Sequence, residues 1–382
     1  MIDRRLAAVV IAGAWVIAPA AATAQSRAFL SPSFTAAHTY ESNLFAAPAS
    51  LGPRADFISQ LGPSLIAGYQ SLPFELAVNY QILAERYQRH VELNDPAARQ
   101  EAGVALRYRP RERFSLSADA GYISTRTPSE FNLRSGLDAG RAPAERVALA
   151  SAMTFNFTPA TTFNAAYTLE RDVLVGVMTS ATHRPRAGIA TRTGVRNAYR
   201  LDYELRRFAF SGGAPMVSHA LVGSWQHELT QRVGCEIAVG PRISDGAIRP
   251  DVATRLRWRL ADADISLAYV RTDMTAIGER GTFDVHALSS TVSYRPARRV
   301  SLDVTPLLSR NARGRQHIAV SSLGAGSTFA VNRHLSVAAI ARFSRQRGML
   351  AGPRHVMASR SLGLHLTISP VRNDRDVTDR RP

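Results

Sequence analysis

Apolar and polar residues alternate along most of the chain from about residue 30 onward. In segment 199–206, Tyr and Leu occupy the odd positions, whereas Arg, Asp and Glu occupy the even positions. Segment 254–260 repeats this pattern, with Arg residues between Leu256, Trp258 and Leu260. On an α-helix these three apolar residues would point at roughly 0°, 200° and 40°, so only a strand separates the two sets. The pattern therefore predicts strands with one apolar and one polar face.

The alternation recurs over the whole chain and is interrupted by connections of two lengths. Further predicted strand segments are 74–82, 104–109, 114–122, 163–169, 335–343 and 361–368. Short turns are predicted near 70–73, 110–113, 158–162, 193–197, 229–233, 261–264, 295–299 and 331–335. Longer loops rich in Gly, Pro, Asn, Asp and Arg are predicted at 41–55, 89–97, 125–143, 172–184, 211–216, 244–250, 275–281, 309–315 and 344–355. Eight turns and nine loops predict an all-β fold, a single transmembrane antiparallel up-and-down β-barrel of about 18 strands, with 16 as the next choice.

A secreted protein built of stacked β-sandwiches is the alternative fold, because its sheets also alternate. Three features favour the barrel. Turn lengths alternate regularly between short and long, and no change in composition separates domains. Aromatic residues also lie near the ends of the predicted strands, as at Tyr108, Phe114 and Phe157, where an interfacial girdle would place them. Each strand is expected to have about ten residues, enough to cross the apolar part of a membrane.

The first residues have the pattern of a secretory signal peptide. Arg4 and Arg5 precede an apolar run at 6–21, and the small residues 22–24 precede Gln25. An uncleaved membrane anchor is the alternative, but the run is short and the small residues favour cleavage. The expected organisation is a signal peptide at 1–24, a barrel at 25–371 and a charged tail at 372–382. The chain has 1 Cys, so no internal disulfide can form, and that residue is expected to pack as a small apolar group.

Charge and hydropathy narrow the classes of protein further. The formal net charge is +17, and all the basic residues other than His are Arg, since the sequence contains no Lys. The mean hydropathy of −0.11 excludes a bundle of membrane helices, and no run after the signal peptide approaches the length of a spanning helix. No nucleic-acid-binding motif is present, and an exported chain is a poor candidate for binding nucleic acid.

The first strands contain a further pattern. Tyr40-Glu41-Ser42-Asn43-Leu44-Phe45 is followed by Asp56-Phe57-Ile58, by Leu61-Gly62-Pro63 and by Glu85-Arg86-Tyr87. Over roughly the first 60 mature residues, this resembles the outer-membrane β-barrel porins of the beta-barrel porin 2 type, often associated with exopolysaccharide export. The resemblance implies a channel in the outer membrane of a Gram-negative bacterium, with outer-membrane lipid, lipopolysaccharide, anionic polysaccharide and periplasmic export components as partners. The charged tail after the last strand departs from the terminal aromatic common in such barrels.

Barrels of 16 to 18 strands can enclose water, so their inward side chains can be polar. Nine residues on the polar faces are candidate pore-lining residues: Arg107, Arg109, Arg200, Asp202, Glu204, Arg206, Arg255, Arg257 and Arg259. Guanidinium groups in a low-dielectric tube would concentrate anions, which predicts an anion-favouring channel. Alternatively, these Arg residues pair with acids and stiffen the wall, or lie at the level of the lipid headgroups. The sequence leaves open whether loops such as 125–143 fold into the lumen.

No catalytic or cofactor motif is present, so neither an enzyme nor a cofactor or metal site is expected. The sequence has no His-Glu-x-x-His, Gly-x-Ser-x-Gly, phosphate-binding loop or metal-ligand spacing. His219, His227 and His365 are the candidates for the least expected function, an outer-membrane hydrolase. A structural or adhesive barrel with a blocked lumen is the main alternative to a channel.

Overall fold

The computed structural model describes residues 26–314, 316–348 and 355–369, and within them the chain forms eighteen β-strands and three short 3-10 helices. The strands are β1 (Arg27–Glu41), β2 (Asp56–Gln70), β3 (Phe74–Tyr87), β4 (Asp95–Arg111), β5 (Phe114–Thr125), β6 (Ala144–Asn156), β7 (Thr161–Leu174), β8 (Met178–Thr193), β9 (Asn197–Phe210), β10 (Met216–Glu228), β11 (Val233–Ser244), β12 (Ala247–Arg259), β13 (Ala263–Thr275), β14 (Thr282–Ala297), β15 (Val300–Arg313), β16 (Gln316–Ala330), β17 (Leu335–Gly348) and β18 (His355–Ile368). The 3-10 helices are Ala49–Leu51, Val91–Leu93 and Pro128–Phe131.

Every strand pairs antiparallel with its neighbours in the sequence, and the sheet closes on itself. Closure is made by β1 and β18, which pair from Phe34 opposite Ile368 to Glu41 opposite Ser361. The prediction of an all-β antiparallel barrel with 18 strands is therefore confirmed. The predicted signal peptide at 1–24 and the tail at 372–382 lie outside the described residues and remain predictions. No helix in the described part of the chain is long and apolar enough to cross a membrane.

The two faces of each strand differ as the sequence pattern predicts. In β9, Tyr199, Leu201 and Tyr203 are exposed on one face. On the other face, Asp202 and Arg206 are buried although both are charged. Arg206 reaches Asp251 on β12, three strands away around the wall, which is possible only across the inside of the barrel. The apolar face of the wall is therefore its outer face, and the polar face is its inner face.

All eight short turns fall where they were predicted, and they share one end of the barrel, here called the turn end. The opposite end, here called the loop end, differs from the prediction. The predicted loop at 172–184 is mostly strand, since β7 continues to Leu174 and β8 begins at Met178. The predicted loop at 244–250 is reduced to Asp245 and Gly246, both with positive φ, as a two-residue hairpin turn requires.

The strands are 12 to 17 residues long rather than about ten, because their hydrogen-bonded ladders continue past the last outward apolar residue into polar sequence. A polar segment near Gly or Pro can therefore be a strand wherever its neighbour continues alongside it. The same error affects the loop predicted at 309–315, because β15 extends to Arg313. The predicted loops at 41–55 and 125–143 are confirmed, since no strand occupies 42–55 or 126–143.

Candidate functional site: a loop across the barrel interior

The loop joining β5 to β6, residues 126–143, crosses the inside of the barrel at the loop end; it is called the crossing loop below. Its first part is held near its own strands, where Arg126 donates to Asp95 at 2.8 Å. Asn132 then accepts a hydrogen bond from the backbone N–H of Ile277, between β13 and β14, at 3.0 Å. These strands lie about half the circumference of the barrel from β5, so the loop spans its full width.

The middle of the crossing loop packs against the far wall. The carbonyl oxygen of Ser135 accepts hydrogen bonds from Asn311, at 3.0 Å, and from Ser309 on β15. Leu137 is buried in an apolar cluster on the inner face, and its neighbours there are Ala276, Phe283, Val285, Ala287, Ile318 and Val320. Apolar side chains on an inner face that otherwise carries polar groups mark the place where the loop excludes water.

The return path of the crossing loop is fixed by one arginine. The guanidinium group of Arg141 donates to Glu41 at 2.9 Å and lies 3.5 Å from Glu85. It also donates to Thr127 at 2.6 Å and stands 5.9 Å from the ring centroid of Tyr87. Burial lowers the pKa of Arg141, but the negative charges of Glu41 and Glu85 outweigh this effect and raise it. Arg141 therefore remains charged and holds the loop base to β1 and β3.

Gly140 shows why the return path needs a residue without a side chain. Its φ is +70°, and a Cβ atom there would lie 2.6 Å from the carbonyl oxygen of Phe45. The crossing loop and the loop at 42–55 therefore meet backbone to backbone at this point. Any larger residue would have to displace one of the two loops.

Arg134 is the exposed basic residue at the tip of the crossing loop. Its side chain is accessible to water but lies inside the barrel. Partial burial lowers the pKa of Arg134, and the positive charges of Arg184, Arg206 and Arg255 lower it further, whereas Glu170 raises it. These neighbours belong to β7, β8, β9 and β12, so the tip lies on the side of the interior that these strands line. The tip of the crossing loop therefore lies within electrostatic reach of three further guanidinium groups.

The structure places eight of the nine predicted site residues on inner-face positions and separates them into two groups. The charged residues of β9 are ion-paired, since Asp202 accepts from Arg200 at 2.8 Å and from Arg186 at 2.5 Å. Arg206 pairs with Glu204 and lies 2.6 Å from Asp251. These contacts agree with the alternative in which the Arg residues stiffen the wall.

The other predicted residues, on β4 and β12, are held more loosely. Arg257 donates to Asp264 at 2.8 Å, and Arg107 lies 3.8 Å from Glu75. Arg255 and Arg259 form no ion pair with any described residue, although both share the inner face of β12 with Arg257. Arg109, the ninth residue, is exposed at the turn end of β4 and has no ion pair within the described ranges.

A buried charge cluster at the loop end was not predicted from the sequence. Arg242 on β11 is fully buried and lies 2.8 Å from Asp273, 3.3 Å from Asp284 and 3.8 Å from Asp251. No local spacing indicates this cluster, because its carboxylates come from β12, β13 and β14. The only available signal was the presence of acids near the ends of predicted strands.

The three histidines considered for hydrolysis lie on two strands, His219 and His227 on β10 and His365 on β18. His219 contacts the hydroxyl of Tyr203 on the outer face at 2.7 Å, and His227 contacts Asn197 at 2.8 Å. His365 forms no hydrogen bond with a described residue. In the described ranges, no three His, Cys, Asp or Glu residues come together in a group that could hold a metal ion.

The geometry defines a class of protein: a closed eighteen-strand β-barrel with an apolar exterior, a charged interior and one loop folded across it. Crystal structures of three Pseudomonas aeruginosa proteins are similar to this chain: OccK9 (OpdG), OpdO and OpdQ. Their identities are 10%, 13% and 10%, and their TM-scores are 0.50, 0.49 and 0.49. Each alignment covers 90% of this chain and 98% of the other.

The similarity to OccK9 supports the barrel fold over nearly its whole length. No protein-family model and no curated protein matches this sequence. The resemblance to the beta-barrel porin 2 type and its association with exopolysaccharide export therefore remain predictions.

Proposed function

We propose that this protein is a porin-type channel of the bacterial outer membrane that favours anionic solutes. The observation that carries the proposal is the positive charge at the tip of the crossing loop and on the wall beside it, where two Arg side chains form no ion pair with a described residue. The positive charge of Arg255 acts on Arg134, and neither guanidinium group forms an ion pair with a described residue. The nearby Arg184 and Arg206 are already paired with Glu170 and Asp251. An anion passing the loop would therefore meet two guanidinium groups without ion pairs in a passage whose surrounding wall has a low dielectric constant.

The outer face supports the proposed location. Exposed Leu, Val, Ile and aromatic side chains cover the wall, among them Leu201, Leu221, Val239, Leu256, Leu267 and Leu308. A continuous apolar band of this kind needs a nonpolar surrounding, and closed barrels satisfy every backbone hydrogen bond within a membrane. Delivery to the outer membrane would use the predicted signal peptide.

The predicted association with exopolysaccharide export is the finer form of this proposal. A loop tied to opposite walls favours small anions over a polymer, because a thick chain could pass only after the loop moved. Export of an anionic polymer would therefore require periplasmic components that displace the crossing loop.

The proposal is tested by reconstituting the mature chain in planar bilayers and measuring the reversal potential in a KCl gradient. The wild-type channel is expected to prefer chloride. The double variant R134Q/R255Q should lose most of that preference, whereas the control R111Q/R298Q, with the same charge change at the turn end, should retain it. Replacing Arg255, Arg257 and Arg259 together by Ala should likewise reduce the preference.

Two outcomes would contradict the proposal. A folded barrel without conductance would indicate a blocked lumen and a structural or adhesive role. Equal chloride preference in the wild type and the double variant would remove Arg134 and Arg255 as the source of selectivity. Current blockade by an acidic polysaccharide, added from the turn side only, would support the polymer form.

A further inference from the structure

The outer wall carries Arg residues at one level near the loop end. Five strands that run toward the loops each place an Arg on the outer face: Arg171, Arg207, Arg271, Arg310 and Arg345, here called the arginine belt. Each lies three or four residues before the end of its strand. In each case the preceding outward residue, two positions earlier, is apolar: Leu169, Leu205, Tyr269, Leu308 and Phe343. The apolar band therefore ends on these five strands in the same way, with a guanidinium group.

The strands that run back from the loops add His residues at the same level. His183 lies opposite Arg207 in the ladder, and His286 lies between Arg271 and Arg310. The Nδ1 atoms of His183, His219 and His286 contact the hydroxyls of Tyr167, Tyr203 and Tyr269 at 2.8, 2.7 and 3.0 Å. A tyrosine thus holds each of these rings against the wall. His183 is opposite Arg207, and His219 is opposite Leu205, two residues from Arg207.

The belt has more positive charge than the protein neutralises. Arg271 pairs with Asp284 at 3.0 Å. Arg171, Arg207, Arg310 and Arg345 form no ion pair with any described residue, and all four are exposed. Four Arg side chains on the inner face contrast with them, since Arg186, Arg200, Arg206 and Arg242 all contact carboxylates.

At the turn end, the apolar band of the outer face ends in aromatic residues rather than in Arg. Its last outward positions carry exposed aromatic residues, among them Tyr108, Phe155, Trp258, Tyr294 and Phe329. Aromatic rings suit the boundary of either leaflet, because they combine apolar area with a polar edge. Unpaired guanidinium groups suit a boundary that provides anions, and the guanidinium group matches two phosphate oxygens at once. The two ends therefore fit two leaflets of different headgroup chemistry.

We propose that the arginine belt, with His183 and His219 beside it, binds phosphate groups of lipids in the leaflet that surrounds the loop end. The proposal rests on the proposed membrane location but does not depend on what the channel conducts. The ligand is a phosphate monoester or diester on a lipid headgroup held at the edge of the apolar band. Acyl chains would then lie along the apolar residues directly below each Arg.

The test compares two variants with the same loss of charge. The belt variant is R171Q/R207Q/R310Q/R345Q, and the control is R111Q/R232Q/R298Q/R299Q at the turn end. All eight side chains are exposed, so both variants should fold. Binding of bisphosphorylated lipid A, of its dephosphorylated form and of phosphatidylcholine is measured by titration of the detergent-solubilised barrel and native mass spectrometry.

Wild type and control should bind bisphosphorylated lipid A with the same affinity. The belt variant should bind it about tenfold or more weakly, because losing one hydrogen bond to a charged group changes a dissociation constant by about this factor. Dephosphorylated lipid A should bind the wild type and the belt variant equally weakly. The proposal is overturned if the belt variant binds like the wild type, or if phosphate removal has no effect. Bilayer conductance is recorded for the same variants, because it tests the proposed channel function independently of lipid binding by the arginine belt.

Discussion

Arginines on the two faces of the same wall have opposite surroundings. Arg206 and Arg207 are adjacent in β9, yet Arg206 is buried among Glu204, Asp251 and Thr272, whereas Arg207 is exposed without an ion pair among the described residues. A buried guanidinium group needs carboxylates nearby because burial removes its hydration. An exposed guanidinium group at the edge of the apolar band can form its hydrogen bonds with water or with lipid headgroups. For Arg206 and Arg207, the face of the wall therefore determines what each side chain contributes.

The largest expected effect comes from removing an interior Arg. Arg242→Leu would leave Asp251, Asp273 and Asp284 close together without their shared cation. The barrel is expected to lose about 3–5 kcal/mol of unfolding free energy, the range for breaking a buried ion pair. Urea unfolding in a fixed lipid or detergent measures this loss. Arg310→Leu, on the outer face, is the matched control and should stay within about 0.5 kcal/mol of the wild type. Similar losses for both would abolish the distinction between the faces.

A smaller effect is expected from Arg141→Gln, which frees the base of the crossing loop from Glu41 and Glu85. Losing hydrogen bonds to charged groups should favour the detached loop by about 1.5–3 kcal/mol. Trypsin should then cleave after Arg134 at least about tenfold faster, because cleavage follows the population of the open loop. Arg54→Gln, an exposed Arg in the loop at 42–55, should leave the rate unchanged. An unaltered rate in Arg141→Gln would mean that the far-wall contacts alone hold the loop.

The smallest effect concerns the pH response of the crossing loop. Burial raises the pKa of Asp138 above its ordinary value of 3.8, although Gly140, Arg141 and Arg342 partly oppose this. The inserted loop therefore binds the proton more tightly than a detached loop. Insertion should strengthen as the pH falls through the raised pKa, and the gain should be complete below about 3.8.

Current steps caused by loop detachment should accordingly become rarer on acidification. Asp138→Asn should show at neutral pH the low frequency that the wild type reaches in acid, and its response to pH should be nearly flat. Asp245→Asn, in the exposed turn between β11 and β12, serves as the control and should follow the wild type. A pH response that survives in Asp138→Asn would assign it to another group.

The strands of the wall could be predicted from the sequence because the signal for each strand lies within that strand. Alternation of period two identifies an outer and an inner face, and short turns between such segments dictate antiparallel neighbours. Strand ends at the loop end were not predictable, since a polar segment such as 172–184 remains a strand only because a neighbour pairs with it. The direction in which Arg200 and Arg206 point followed from the pattern, but their partners did not.

The path of the crossing loop could not be predicted from the sequence for a different reason. Its contacts join residues far apart in the chain, as from Asn132 to Ile277 and from Arg141 to Glu41. No periodicity marks a segment that runs through the interior, and its Gly and Arg residues are equally typical of a solvated loop. Gly140 is one retrospective signal, because it permits the close approach to Phe45.

The join between β1 and β18 has a consequence for how the barrel assembles. β1 pairs with β2 over fifteen positions but with β18 over eight, from Phe34 to Glu41. This ladder also unites residues more than three hundred positions apart, so it can form only after the strands between them have been arranged. The ladder between β1 and β18 has about half as many paired positions as the adjacent hairpin. This strand pair should therefore form last during assembly and separate first when the barrel is pulled sideways.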